Sequence, residues 1–256
     1  MKYLIAKLGA AAGVFGLVAA GAIGISAAPP PFSLQPFEFV GTAAQCGGTA
    51  GTDTVTAKWD NTTGNPSPSI LLQKLGATSN CAAAGVDIIT PLEGGPVSGI
   101  TELNFDYKNG EHCGAGAPRF NIQSGSKVAF LGCAGGTQTP TSEPNWTHVE
   151  FTPAQIAAAL ATATILSTDT LDDLYIIFDE GTDTPTGGTI GVAGTVHIDN
   201  ISVNGASVGS PTSPQSREDC KNGGWTNLTD ANGHAFKNQG DCVSYFATKG
   251  KNPGNG

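Results

Sequence analysis

Thr195-Val-His-Ile-Asp-Asn-Ile-Ser-Val203 is the stretch that decides the fold. Val196 and Ile198 share one parity, and Ile201 and Val203 share the other. Side chains alternate across a strand, so one apolar face survives only if an extra residue is inserted near Asp199-Asn200. The stretch therefore predicts a strand with a β-bulge. A second stretch, Ile100-Thr-Glu-Leu-Asn-Phe-Asp-Tyr107, needs no bulge. Leu103, Phe105 and Tyr107 fall on one face, and Glu102, Asn104 and Asp106 on the other.

Outward from these, the same grammar repeats. Thr54-Val-Thr-Ala-Lys-Trp59, Trp146-Thr-His-Val-Glu-Phe151 and Asp173-Leu-Tyr-Ile-Ile-Phe178 read as strands. Arg119-Phe-Asn-Ile-Gln123 and Lys127-Val-Ala-Phe-Leu131 flank Ser124-Gly125-Ser126, which signals a hairpin. One helix is expected. Thr152 serves as N-cap, Pro153 suits the first helical position, and Gln155 completes a capping box, with an end near Ala163. Thirty-six glycines, 16 prolines and only 13% charged residues favour many short strands joined by turns. The expected fold is mostly β, a two-sheet sandwich with one short helix.

The closing run, aliphatic–Asp–Asn–aliphatic, resembles the last strand of jelly-roll, carbohydrate-binding-module-like domains. That resemblance implies a jelly-roll-like sandwich over 29–209 and a glycan as the ligand class. It also implies a structural calcium held by Asp199, with Glu38 of Phe37-Glu-Phe39 as companion. Calcium takes six to eight oxygens, so carbonyls and water must complete the set.

The start of the chain sets the compartment. Lys2 and Lys7 precede an apolar run over 8–25, then Ser26-Ala27-Ala28 and three prolines. This is the layout of a secretory signal peptide over 1–28, with no membrane span left after cleavage. Six cysteines fit an exported chain. Sequence neighbours suggest Cys46–Cys81, Cys113–Cys133 and Cys220–Cys242, although six cysteines allow many other pairings. A Pro/Ser linker is expected at 210–217. Over 218–256 a small tail follows, in which one disulfide clips Trp225, Phe236 and Tyr245 together, with a turn at Asp230-Ala-Asn-Gly233. The tail resembles a short C-terminal cysteine motif of secreted bacterial proteins.

The formal charge of −9 disfavours nucleic-acid and anionic-membrane partners. An extracellular glycan or cell-surface component fits better. For sugar stacking the aromatic candidates are Trp146, Trp59 and Tyr107, with Trp225 and Tyr175 behind them; Trp146 leads because Ser142, Asn145 and Thr147 flank it. His148-Val-Glu150 and His197-Ile-Asp199 each place two polar side chains on one strand face, where neighbouring strands would bring them together for metal or acid–base work. Glu102, Asp106, Glu150 and Asp179 supply carboxylates for a hydrolase, but nothing selects a pair. The loop over 179–183 reads as a solvated acidic turn. Gly205-Ala-Ser-Val-Gly209 has the nucleophile-elbow pattern but is followed by a linker rather than a helix. Sequons stand at Asn61, Asn145, Asn200 and Asn227. The leading expectation is a secreted, non-catalytic glycan-binding protein. A structural or protein-interaction role and a polysaccharide hydrolase are the alternatives.

Overall fold

The computed structural model describes residues 32–60, 62–65, 68–183, 191–207 and, in the tail, 214, 217, 220–221, 223–228, 230, 236–248 and 251–252. The expected signal peptide, most of the linker, the Asp230–Gly233 turn beyond Asp230, and Asn61 lie outside these residues.

In chain order the strands are β1 (Ser33–Val40), β2 (Thr54–Asp60), β3 (Ser69–Leu75), β4 (Ala82–Ile89), β5 (Leu103–Lys108), β6 (Arg119–Ser124), β7 (Lys127–Gly132), β8 (Thr137–Pro140), β9 (Trp146–Phe151), β10 (Asp173–Phe178), β11 (Thr195–Val203) and β12 (Ala206–Ser207). They form two antiparallel sheets. The first has the order β1-β4-β10-β6-β7; the second runs β2-β3-β11-β5-β9-β8, with β12 beside β11. The chain passes repeatedly from one sheet to the other, as between β1 and β2, β3 and β4, β4 and β5, and β10 and β11. The result is a jelly-roll-like sandwich.

Between the sheets lies one apolar core. Phe105 of β5, Phe120 of β6 and Phe151 of β9 meet at its centre, with ring centroids 5.6 to 6.5 Å apart. Ile70, Leu72, Val86, Ile88, Ile176, Phe178, Val196 and Ile198 fill the layers around them. The bulge expected in β11 is present. Its register against β5 shifts between Asp199 and Ser202, and Asn200 takes φ 46°. The slip lets Ile198, Ile201 and Val203 all face inward.

The first helix, α1 (Pro153–Thr162), has the expected capping box: Thr152 accepts from the Gln155 backbone while the Gln155 side chain reaches back to the Thr152 N–H. Its C-cap is Ala163. A second helix, α2 (Gln239–Ala247), corrects the expectation of one. Asn238 caps it by accepting from the Asp241 N–H at 3.0 Å. Cys242 and Tyr245, three apart on one face of α2, pack with Cys220 and Phe236, and Trp225 joins from the side.

Three disulfides form as the neighbour pattern suggests: Cys46–Cys81, Cys113–Cys133 and Cys220–Cys242. Among the described residues no helix is long and apolar enough to cross a membrane.

Candidate ligand groove

Strand alternation sends every second residue of the first sheet away from the core. Register aligns these residues into rows. One row crosses all five strands: Gln35, Asp87, Tyr175, Asn121 and Phe130. The next row is Phe37, Gly85, Ile177, Arg119 and Gly132. Phe39 and Asp179 close one end. Together Phe39, Asn121, Arg119, Phe130, Tyr175 and Asp179, with the 80–83 segment, line a shallow groove that opens to solvent.

Its floor is apolar and tight. Tyr175 and Ile177 are buried with Ala83, and Phe37 packs on them. Phe37 meets Tyr175 edge-on, with centroids 6.4 Å apart. The position opposite Phe37 must be glycine. A Cβ on Gly85 would stand 2.3 Å from the Phe37 ring and 2.8 Å from the Ile176 carbonyl.

The groove's polar side has one fixed cation and one open acceptor. Arg119 donates from Nη1 to Asp179 Oδ1 at 2.5 Å and from Nη2 to Asp179 Oδ2 at 2.8 Å. Nη1 also reaches the Gly116 carbonyl at 2.6 Å. The guanidinium lies over the Phe130 ring at 5.2 Å. Phe130 itself is 54% exposed, unusual for so large an apolar side chain in a sheet. Asn121 is only 3% exposed, yet its Oδ1 has no hydrogen-bond partner among the described residues. Burial pushes the neighbouring Tyr175 phenol above its usual pKa, partly opposed by its hydrogen bond with Asn121. A buried acceptor without a partner costs roughly 1–3 kcal/mol.

The aromatic residues favoured by the sequence are elsewhere. Trp146 is 4% exposed, because it opens β9 inside the tight 141–146 connection, where its N–H donates to Glu143 O at 3.1 Å. Ser142 and Asn145 are exposed and Thr147 is half-buried, while the indole is buried. Tyr107 is buried and faces the core, its hydroxyl 3.3 Å from Gln138 Oε1. Trp59 pairs with Ile70, faces inward and packs on the core. Trp146 and Tyr107 are buried and Trp59 is half-buried against the core, so none of the three stands on the groove. Tyr175, one of the secondary aromatic candidates, does line the groove, whereas Phe130 stood in the sequence only as a strand residue. The only signals were the outward parity of Phe130 beside Asn121 and Arg119 and that of Tyr175.

The second sheet carries the other candidates on its outer face. Asp199, Asp106 and His148 form one cross-strand row. His148 Nδ1 lies 2.6 Å from Asp106 Oδ1. Asp106 Oδ2 accepts from the side-chain amides of Asn65 at 2.9 Å and Asn200 at 2.8 Å. Asp199 accepts the backbone N–H of Asn65 at 2.5 Å and of Asn200 at 2.7 Å. Burial pushes Asp199 up to about 6, with those N–H donors opposing and Asp106 adding to the rise. His197 lies apart from this row. Its Nδ1 is 2.9 Å from both Glu111 oxygens, and its Nε2 is 3.0 Å from Asp60. The two His–acid pairs thus share a face but do not converge, because β5 stands between their strands and each histidine has its own carboxylate.

The proposed calcium pair does not assemble. Glu38 accepts from the Ala57 N–H at 3.2 Å on β2, two strands away from the Asp199 strand. Both Asp199 oxygens are turned to N–H donors, which a cation would have to displace. Among the described residues no group of three or more His, Cys, Asp or Glu side chains is placed to hold a metal.

The hydrolase carboxylates also divide. Glu102, Asp106 and Glu150 belong to the second sheet's outer side, where Glu102 takes Asn104 Nδ2 at 2.6 Å, whereas Asp179 follows β10 in the first sheet. The 179–183 loop is not merely solvated. Asp179 pairs with Arg119, Glu180 contacts His112, and Asp183 Oδ1 accepts from Thr78 N at 2.6 Å and from Thr78 Oγ1 at 2.7 Å. Ser207 of the elbow-like motif sits in β12, paired with β11.

No family model matches the chain, and no curated protein does. Among solved structures, the family 11 carbohydrate-binding module of a cellulosomal cellulase of Clostridium thermocellum is similar at 15% identity and a TM-score of 0.36, covering 68% of this chain and 88% of that one. A module of family CBM28, specific for non-crystalline cellulose, is similar at 16% identity and a TM-score of 0.31, covering 59% of this chain and 80% of that one. A β-1,2-glucanase from Parabacteroides distasonis is similar at 14% identity and a TM-score of 0.34, over 71% of this chain but only 24% of its own.

Proposed function

We propose that this protein is a secreted, non-catalytic binding module that takes a glycan along the outer face of its five-stranded sheet. The observation that carries this reading is the groove's composition. An exposed Phe130 ring, the buried Tyr175 floor, Arg119 and Asn121 lie within two adjacent rows of one sheet, with Asp179 forked to Arg119 at the end. Sugars present apolar C–H faces and hydroxyls that both donate and accept, and they are bound by rings and fixed polar groups together. The groove is built on strands rather than loops, so its geometry is preorganised.

The leader and the three disulfides support export. The non-catalytic reading is supported by the second sheet's carboxylates, which are spent on the protein's own donors. A polysaccharide pull-down panel with the mature protein tests the proposal. Retention on at least one glycan is expected. Retention on none moves the assignment to a protein-interaction or structural role.

A further inference from the structure

Ile70, Leu72 and Lys74 share the inward face of β3. The third of these is a lysine with no exposed surface, among the largest fully buried side chains of the described residues. An ammonium withdrawn from water needs all three protons accepted. Lys74 Nζ donates to the carbonyl of Asn80 at 2.8 Å, of Asp179 at 2.9 Å and of Thr78 at 3.2 Å. All three acceptors are backbone oxygens, and they come from two separate loops. One is the β3–β4 turn and the other follows β10. The carboxylates of Asp179, Asp53 and Asp183 supply the surrounding negative charge, against burial, which lowers the Lys74 pKa. Asp53 Oδ2 is buried without a hydrogen-bond partner among the described residues, and its carboxylate stands where a Cβ on Gly76 would be, 2.2 Å away.

A ring of carbonyl oxygens ringed in turn by carboxylates is the surrounding that a bound cation requires. We infer that the carbonyls of Thr78, Asn80 and Asp179 form a monovalent-cation site that the chain fills with its own Lys74 ammonium. This tethered cation fastens the β3–β4 turn to the loop after β10. Asn80 and Asp179 also line the groove, so Lys74 acts there as a positioning residue; that last link rests on the binding reading above, while the cage does not.

Two measurements test the cage. In the wild-type protein, amine acetylation followed by mass spectrometry should modify Lys74 at least about tenfold more slowly than the exposed lysines, because the amine must be released by local opening first. Acetylation of folded protein at the surface rate would overturn the proposal. Lys74→Ala, which opens the cage, should melt lower than wild type. Ammonium, methylammonium or potassium chloride should restore part of the loss saturably, whereas choline chloride at equal ionic strength should not, and wild type should show no such selectivity. Equal effects of all four salts would overturn it. Should Lys74→Ala not fold, Lys74→Met keeps the stem without donors; a melting temperature equal to wild type would overturn the proposal as well. A glycan panel that fails with wild-type protein would end the binding reading and leave these results unchanged.

Discussion

Arg119 holds the carboxylate of Asp179 with both terminal guanidinium nitrogens, at 2.5 and 2.8 Å, on the open face of the first sheet. The same residue, Asp179, gives its backbone carbonyl to Lys74 Nζ at 2.9 Å inside the sandwich. One residue thus joins the groove to the core. The pair is mostly shielded, with side-chain exposures of 17% and 24%. Arg119→Met should therefore cost about 1–3 kcal/mol in urea unfolding. Arg119→Lys should recover only part of it, since an ammonium cannot make the planar fork. Equal stability of all three proteins would show that the pair is a surface contact of no consequence.

Burial pushes the Asp199 carboxyl up to about 6, above the usual carboxylate range. A raised carboxyl binds its proton more tightly in the folded state. Its contribution to stability is therefore complete below the unfolded pKa and is lost as pH rises through about 6. From roughly pH 4 to 7 the loss is on the order of 2–3 kcal/mol. Chemical denaturation of wild type and Asp199→Asn at pH 4.5 and pH 7 isolates it. Wild type should lose ground to the variant as pH rises. Asp60 and Glu111 around His197 run the opposite way. Both are held below the carboxylate range; burial is the largest influence and raises them, but their hydrogen bonds and the His197 charge outweigh it. Their contribution is present above the unfolded pKa and lost as pH falls through the folded one.

Reduction should separate the molecule into two responses. Cys113 and Cys133 are fully buried in the main core and close a loop with a sequence separation of 20. The Cys113→Ser/Cys133→Ser variant should lose about 3 kcal/mol and lower the main melting transition. Cys220 and Cys242 belong to the tail's own cluster with Phe236 and Tyr245. Their double serine variant should unwind α2, seen as faster hydrogen exchange over 239–247, while the main transition holds. A matching drop in both variants would show that tail and sandwich unfold as one unit.

Local chemistry was legible in the sequence wherever a pattern acts within a few residues. The parity slip at Asp199-Asn200 announced the bulge, and Thr152-Pro153-Ala154-Gln155 announced α1, because both follow from period and capping alone. The α2 helix was missed because Gly240 and Ser244 dilute its helix propensity; its stability comes from a disulfide and a Phe236–Tyr245 contact that only the fold supplies. The groove was hidden for a different reason. Its central row takes residues from β1, β4, β10, β6 and β7, whose order in the sheet is not their order in the chain. Trp146 misleads because polar flanking residues say nothing of where one indole packs, and this ring is 4% exposed.

The outer faces of the two sheets should differ in what they tolerate. His148→Ala on the second sheet removes the partner of Asp106 Oδ1 and should change stability by about 1 kcal/mol without altering glycan retention. Loss of retention in this variant, with its fold intact by circular dichroism, would move the ligand site to the second sheet.

The most direct test is a calorimetric or affinity-gel titration of soluble β-glucans, xylan and mannan against wild type and Phe130→Ala. Phe130 is more than half exposed but carries the Arg119 guanidinium on its ring, so its removal should lower the melting temperature only slightly. Wild type is expected to bind at least one of these polysaccharides, and the variant to bind it about tenfold more weakly, the loss of a ring worth about 1 kcal/mol or slightly more. Equal binding by the two proteins, or none by wild type, would contradict the placement of a glycan in this groove.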